Sequence, residues 1–597
     1  MILPPTIYQY IKTEESKFDT DEIQVGNNWR WNFKNHVQLI FHLKNGVFFT
    51  GENNWMRAFK NVMEDMLNLA YWTEDIEVKD VVFFIENSTG RALSFLIKKY
   101  HDEVYVREHN LDTLFDQITE SDLDYGGVLV QKTNGARPER LNLTKIAFCD
   151  QTDILGGPIG FKFNFSPAKL RSMSKLGWGN KSNGATISIE ELIMLASQEK
   201  DPAGLIGQKE NLVTGKSIEV YVVKGGELPE NYLKEDGDME KFVSQVQVVA
   251  FYTDKNNQKE GVTLYRREGD DESLKFHTSK EVEDRALGRG VGEALLHPQI
   301  WTNFLTIHKT KMLESASKIP LYTDDPELTS RSLVQDMDNL ELANIADGKR
   351  IYQVPTAAPA NIQLFEASIN EWYQHAQNMA SAQDPILGKE AASGTTFRGQ
   401  ERSVAQGRGI HDRRRGQRAK FIEEIYRDWI IPDMVKEITK GKEFLASLTS
   451  DEMMWVSDQM ADNYAHKKQI EDLFAMRIPQ DKEIYKQEFR EQFKKRGDRH
   501  LIKILKEEMR GVEVKMGINI AGKQKDLVGL SDKILSVFQF ALTNPVPQHL
   551  QKSFNDLLEY GGLSPVDFSA ILNAPVAQPL PPQGQPTPLT LNQPQQV

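Results

Sequence analysis

Arginines are concentrated in one stretch of the chain, between Arg398 and Lys420. This stretch holds seven arginines and one lysine against two acids, a local charge of +6 in a chain whose formal net charge is −13. Guanidinium groups bind phosphate and carboxylate oxygens through paired hydrogen bonds. These residue types therefore indicate contact with an anion, either a nucleic acid backbone or the carboxylates of a protein partner.

The arginine-rich stretch is predicted to be helical, but it lacks an apolar face of its own. At about 100° per residue its arginines point to opposite sides of the helix. Two interpretations follow: a solvated charged helix, or a helix held between neighbouring subunits and facing an anionic surface. Four glycines within it are expected to interrupt or kink the helix. From Phe421 to about Lys440 an apolar stripe predicts a helix that faces a core.

The sequence contains only incomplete forms of the known catalytic, cofactor-binding and metal-binding motifs. TGKS at 214–217 resembles the end of a phosphate-binding loop, but Glu210 stands where that pattern requires glycine. GRGVGE at 288–293 has glutamate where a dinucleotide-binding loop has its third glycine. His297 and His308 lie on one predicted helix without a third ligand. We therefore expect no catalytic residue, no cofactor, no metal site and no enzymatic activity.

Composition narrows the class of protein further. The 597 residues suffice for three or four core-bearing units, and the single cysteine, Cys149, excludes an intramolecular disulfide and a cysteine-cluster metal site. No apolar run approaches the 18 or so residues of a membrane span, so no membrane contact is expected. The acidic balance argues against a general nucleic-acid binder, but it suits a protein past which DNA slides without being gripped.

The first 290 residues mix strands and helices without a regular β-α-β alternation, which predicts an α+β organisation. HVQLIFHL at 36–43 and EVYVRE at 103–108 are predicted strands, and IEVYVVKGG through GVTLYRRE predicts an antiparallel meander. A flexible glycine-rich entry, GRGVGEAL, then opens a helix predicted to run to about Lys318.

A compact insert with two strand-like segments follows this helix and leads to a second one, ASINEWYQHAQNMASA. Next come the small-residue loop KEAASGTT, the arginine-rich helix and several C-terminal helices. The last 24 residues, from Ala574, carry seven prolines, six glutamines and no charge, so we expect them to be disordered.

This order of elements resembles that of portal proteins, the head–tail connectors of tailed bacteriophages. The resemblance covers about residues 50 to 570, and its most specific part is DPILGKEAASGTTFRGQERSVAQ. It implies a portal-like α+β fold with a mixed α/β wing, a two-helix stem with a β-containing clip, a long kinked helix and a helical C-terminal crown. It also implies a ring, usually of twelve subunits, around a channel for double-stranded DNA.

Each part of that fold maps onto a segment of the chain. The expected parts are the wing at 1–290, first stem helix at 291–318, clip at 319–363, second stem helix at 364–383, tunnel loop at 384–396, kinked helix with wing connector at 397–478, crown at 479–573 and disordered tail at 574–597.

Three groups of residues follow from this mapping. The tunnel loop and its exit are expected to face DNA through Lys389, Glu390, Ser393, Thr395, Thr396 and Arg398. The contact between subunits is expected to involve Arg402, Arg413, Arg414 and Arg415. The clip is expected to dock its partners through Arg331, Lys349 and Arg350.

The resemblance also implies partners and a location. The partners would be further copies of the chain, double-stranded DNA bound without sequence preference, the packaging terminase, the capsid protein and a tail adaptor. The protein would occupy a capsid vertex of the virion after assembly in the host cytoplasm. Two alternatives stay open: a DNA-processing enzyme that grips phosphate through residues 398–420, and another virion component such as an adaptor or baseplate protein.

Overall fold

The computed structural model describes most of the chain up to Arg496 and one short strand beyond it. The described residues are 6–26, 29–46, 59–84, 91–133, 138–197, 217–234, 237–253, 259–269, 273–317, 321–323, 350–353, 359–382, 397–440, 450–496 and 515–518. The chain divides into two compact units. Unit 1 comprises Met1–Phe84, Lys98–Glu437 and Val514–Gly522, and unit 2 comprises Ile85–Ile97, Ile438–Glu513 and Lys523–Val597.

Helices and strands both contribute to the described segments. The helices are α1 (Ile7–Thr20), α2 (Phe33–Lys44), α3 (Val62–Glu74), α4 (Arg91–Tyr100), α5 (Val106–His109), α6 (Leu111–Tyr125), α7 (Pro167–Met173), α8 (Ile189–Ser197), α9 (Val291–Ala294), α10 (Leu296–Ser317), α11 (Pro359–Met379), α12 (Phe397–Ile425), α13 (Ile431–Lys440), α14 (Ser450–Phe474) and α15 (Lys482–Arg496). Two π-helical turns, His101–Tyr105 and Tyr426–Ile430, join α4 to α5 and α12 to α13.

The strands are β1 (Ile23–Val25), β2 (Trp29–Trp31), β3 (Val81–Phe84), β4 (Val128–Lys132), β5 (Pro138–Leu141), β6 (Ile146–Phe148), β7 (Ile159–Phe165), β8 (Ile218–Lys224), β9 (Glu227–Pro229), β10 (Phe242–Thr253), β11 (Lys259–Glu268), β12 (Leu274–His277), β13 (Leu321–Thr323), β14 (Ile351–Gln353) and β15 (Lys515–Ile518). The largest sheet has the order β11-β10-β8-β7-β6, with β9 paired to β10. The predicted meander is present in it, since β8, β10 and β11 pair antiparallel.

The main core of unit 1 lies among α1, α2, α3 and the sheet. The predicted strand at 36–43 is wrong, because these residues form part of α2. Asn32 caps that helix by accepting a hydrogen bond from the Asn35 backbone, and Phe33, Val37 and Ile40 are its buried residues. These buried residues follow one another at steps of four and three, which is the period of a helix. The prediction of a strand relied instead on the local alternation of polar and apolar residues.

The predicted strand at 103–108 is also wrong. It lies in the π-helical turn and α5, where His101 and Tyr105 are buried four residues apart. Valines favour strands, but their preference is weak compared with tertiary packing. Burial of that face therefore decides the local structure.

The predicted interruption of the arginine-rich helix lies elsewhere than expected. α12 is continuous through its four glycines, and the irregularity is the π-helical turn at Tyr426–Ile430. There the Ile431 backbone N–H donates to the carbonyl of Tyr426, five residues earlier. Pro432 follows directly and has no N–H for a regular helical bond, which accounts for the change of register at this point.

The glycine-rich entry to α9 is closely packed instead of flexible. A Cβ atom on Gly290 would lie 2.5 Å from the Gly126 backbone nitrogen, and one on Gly292 would lie 2.3 Å from the carbonyl oxygen of Asp124. These glycines therefore allow the backbone of the entry to pass against the end of α6.

α10 and α11 form the two arms of one antiparallel hairpin. Trp301 stacks on Trp372 with ring centroids 6.1 Å apart, and Lys309 Nζ lies 2.6 Å from Glu366 Oε1. Further along, β13 pairs antiparallel with β14, with Leu321 opposite Gln353. The two arms therefore run antiparallel to each other, first as helices and then as strands.

The segment predicted as a helical crown lies mostly outside the described residues. Within 479–573 the structure describes α15 and one strand, β15, and that strand pairs with β3 of unit 1. α14 and α15 pack together in unit 2. In the described residues no helix is long and apolar enough to cross a membrane.

Candidate functional site

α12 carries a fully buried arginine beside the apolar residues that the sequence places in a core. Phe421, Ile422 and Tyr426 are buried as predicted, and Arg418 has 0 % of its surface exposed. A buried guanidinium requires carboxylate partners, since a lone charge in such a place is prohibitively costly.

Glu74, at the end of α3, supplies the principal partner. Arg418 Nη2 donates to Glu74 Oε2 at 2.6 Å, and Arg414 Nη1 donates to Glu74 Oε1 at 3.0 Å. His411 Nδ1 donates to the same Oε1 at 2.7 Å. One buried carboxylate therefore binds three residues of α12, all on the helix side that faces α3.

Asp122 of α6 forms the second arm of this buried network. Arg418 Nη1 donates to Asp122 Oδ2 at 3.0 Å, and the hydroxyl of Ser279 donates to the same oxygen. Asp122 Oδ1 and Arg418 Nε are buried without a hydrogen-bond partner in the part of the chain described. The arginine thus ties α12 to both α3 and α6.

The charges around Glu74 keep it ionised. Burial acts to raise the pKa of its carboxyl, but the hydrogen bond from His411 and the charges of Arg418 and Arg414 outweigh it, and the pKa is lowered. For Arg418, burial opposes the charged form, whereas Glu74 and Asp122 raise its pKa. The network is therefore a set of mutually compensated charges within unit 1.

His411 connects this network to the end of α11. Its Nε2 lies 3.2 Å from the backbone carbonyl oxygen of Ser381, while Nδ1 contacts Glu74. A carbonyl and a carboxylate only accept hydrogen bonds, so an imidazolium satisfies both and a neutral ring satisfies one. His411 therefore links the residues before and after the predicted tunnel loop.

Ser381 itself is in a strained conformation. Its φ is +59°, a region that helix ends usually fill with glycine. The Ser381 N–H donates to the carbonyl of Asn378, and the Ala382 N–H donates to that of Gln377, which closes α11 in a Schellman motif. The chain is thus turned sharply just before residue 384.

α3 is the common anchor of these elements. At its beginning, Gln299 of α10 accepts a hydrogen bond from the Met63 backbone at 2.8 Å and donates to the Lys60 carbonyl at 2.9 Å. At its end, Glu74 holds α12 and, through His411, the end of α11. Both arms of the hairpin and the arginine-rich helix are therefore fixed to one helix.

The hairpin presents large apolar side chains to solvent. Trp301 is 45 % exposed, Phe304 50 % and Leu364 66 %, and Ile300 and Leu313 are exposed as well. Exposed apolar side chains grouped in this way occur at surfaces that bind proteins, membranes or ligands.

The expected subunit-contact arginines have different environments. Arg414 pairs with Glu74, and Arg415 Nη2 donates to Asp80 Oδ2 at 2.9 Å, so both are engaged within the chain. Arg413 is exposed. The backbone of Arg402 lies in α12, but its side chain is outside the described residues, as is that of Arg398.

The other expected site residues lie mostly outside the described part. Among the tunnel-loop residues this holds for Lys389, Glu390, Ser393, Thr395 and Thr396, and for the clip it holds for Arg331 and Lys349. Arg350 is exposed and directly precedes β14.

Sequence reasoning missed Glu74, Asp122, His411 and Arg418 as a connected set. One signal for Glu74 was available: Val62, Met66, Ala70 and Glu74 follow one another at steps of four on the buried face of α3. An acid on an apolar stripe requires a buried cationic partner. The sequence does not reveal which of the seven arginines provides it.

No protein-family model and no curated protein matches the chain. Among solved structures, it is similar to a chain of the virion of a native gene transfer agent particle, with 9 % identity, a TM-score of 0.30, and coverage of 93 % of this chain and 99 % of that one. It is also similar to a chain from the neck of an empty gene transfer agent particle, with 8 % identity, a TM-score of 0.31, and coverage of 92 % and 96 %. At these TM-scores, neither similarity supports an assignment of fold or function to this chain.

Proposed function

We propose that this chain is a structural protein of a phage-like virion and, more specifically, a portal subunit that forms a ring around double-stranded DNA. The observation that carries the proposal is the α10–α11 hairpin. It begins at the glycine-rich entry, includes the β13–β14 pair, ends just before the predicted tunnel loop, and exposes tryptophan, phenylalanine and leucine along its helices. In a ring, copies of the same hairpin would cover these side chains.

The buried network fits this function mechanically. A loop that lines a channel experiences forces from the moving DNA, and its flanking segments must hold their position. His411, after the loop, bonds Glu74 through Nδ1 and the carbonyl of Ser381, before the loop, through Nε2.

A phosphate-gripping enzyme is less consistent with the same residues. Arg414, Arg415 and Arg418 are paired with carboxylates of their own chain, and Arg418 has no exposed surface. Bound carboxylates occupy the donors that a phosphate would need. The acidic net charge also weakens general attraction to DNA.

Light scattering and negative-stain microscopy on the purified full-length chain test the proposal. A portal gives closed rings with a mass about twelve times the 68.1 kDa of the single chain. A chain that stays monomeric or dimeric at micromolar concentration, with turnover of a DNA substrate, would establish the enzymatic alternative.

A further inference from the structure

Two carboxylates and a histidine meet in unit 1 at a place that the proposed function does not use. Glu108 and His109 are the last two residues of α5, and Glu437 lies in α13. One ligand atom from each of the three residues lies within 4.8 Å of the others. The sequence predicted no metal site. Glu437 lies hundreds of residues from the adjacent pair Glu108 and His109, and the three form no motif.

Both π-helical turns of unit 1 lie directly before the helices that carry these residues. Tyr100, just before the first turn, donates from its hydroxyl to Glu437 Oε2 at 2.7 Å. Tyr105, at the end of that turn, has its ring centroid 4.1 Å from that of His109 and donates to Asp433 Oδ2 at 3.2 Å. Glu437 and His109 are therefore oriented by neighbours, as metal ligands usually are.

Within the described residues, no cationic side chain pairs with these three groups. His109 Nε2 is buried and has no hydrogen-bond partner in the described part of the chain. Within those same segments neither Glu108 nor Glu437 forms an ion pair. A buried imidazole nitrogen without a partner is unfavourable, and neighbouring carboxylates repel each other.

We propose that Glu108, His109 and Glu437 bind one divalent transition-metal ion of the zinc class. Imidazole nitrogen and carboxylate oxygen are established zinc ligands at about 2.0–2.2 Å, and water completes the coordination. Magnesium and calcium prefer sites made entirely of oxygen, which the histidine disfavours. The ion joins α5 to α13.

Titration of the full-length, chelator-treated chain with Zn²⁺, Co²⁺ or Mg²⁺ tests the site. We expect one Zn²⁺ per chain by calorimetry, a visible absorption band on addition of Co²⁺, and a higher thermal midpoint with Zn²⁺ but not with Mg²⁺. Glu108→Gln and His109→Gln should each weaken Zn²⁺ binding at least about tenfold, since each removes a ligand.

Matched controls separate this site from general surface binding. Glu120→Gln and His466→Gln change exposed residues of the same types elsewhere in the chain, and should leave the affinity unchanged. Glu108 is itself exposed, so Glu108→Gln is expected to fold. Equal Zn²⁺ affinity in the wild-type chain and in both ligand variants, or absence of the Co²⁺ band, would overturn the proposal.

Discussion

Arg418 is the single side chain on which the buried network depends. It bonds two carboxylates on two different helices, and neither it nor Glu74 has any exposed surface. A buried ion pair adds little net stability when intact, but removal of one partner leaves an uncompensated charge. The network therefore serves to fix positions, and its disruption is costly.

Arg418→Met tests this at similar side-chain volume. We expect destabilisation of roughly 3–5 kcal/mol, because Glu74 and Asp122 would lose their shared cation. The measurement is the midpoint of urea unfolding, followed by tryptophan fluorescence. Arg413→Ala, at an exposed position of the same helix, is the control and should change stability by less than about 0.5 kcal/mol. Equal midpoints for Arg418→Met and the wild-type chain would contradict a stabilising role.

The ionisation of Glu15 is expected to make the free energy of unfolding fall in acid. Burial acts to raise the pKa of its carboxyl, but hydrogen bonds from Lys162, Lys12 and Tyr221 outweigh burial and lower it from 4.5 to about 2. A lowered folded-state pKa contributes stability above the unfolded value, and this contribution is lost as pH falls through the folded value. The loss should therefore occur between pH 4.5 and about 2.

Glu15→Gln should flatten the dependence of the thermal midpoint on pH within that window. Glu14→Gln is the matched control, because Glu14 is the adjacent acid and pairs only with Lys17 among the described ion pairs. Identical slopes for Glu15→Gln and the wild-type chain would show that Glu15 does not carry the acid sensitivity.

At the scale of elements, prediction succeeded where one periodic signal dominated. The β8, β10 and β11 meander and helix α10 follow their expected pattern closely. α2 and α5 were mistaken for strands because valines and aromatics alternate locally with polar residues, as they do in a strand. Tertiary packing decides whether such a segment forms a strand or a helix. The π-helical turns have no sequence signature beyond Pro432, so their positions could not be predicted.

Gly409→Ala tests the continuity of α12. Apart from the backbone of α12 itself, no described residue lies within 4 Å of the position that a Cβ would take at Gly409, and the helix passes through it unbroken. We expect a gain of up to about 1 kcal/mol, because alanine restricts the unfolded chain and favours helix. The thermal midpoint of the full chain measures it.

Gly292→Ala is the informative contrast for that substitution. Its Cβ would lie 2.3 Å from the Asp124 carbonyl oxygen, so the backbone of α9 must shift and stability should fall. If Gly409→Ala also lowers the midpoint, the glycines of α12 are required for close packing and not merely tolerated.

At the scale of the molecule, the sequence indicated an anion-binding helix but not the anion. Three of its arginines bind carboxylates from α3, from the 3-10 helix before β3 and from α6, elements that lie hundreds of residues away along the chain. Such pairs depend on how helices pack, and one sequence does not contain that information. The hairpin was easier to predict, because its two helices follow one another along the chain and each has its own helical pattern of apolar residues.

Assembly through the hairpin surface gives the final prediction. Trp301→Ser combined with Phe304→Ser removes two half-exposed aromatic side chains from α10. If neighbouring copies cover them, the two half-exposed side chains together contribute about 1.5–3 kcal/mol to a contact, so the concentration needed for assembly should rise by at least about tenfold. Light scattering over a dilution series measures this, and circular dichroism shows that the subunit stays folded. Leu176→Ser removes an apolar side chain of comparable exposure away from the hairpin, and should leave assembly unchanged. A double variant that forms the same oligomer at the same concentration as the wild-type chain would mean that this surface is covered by something other than its own copies.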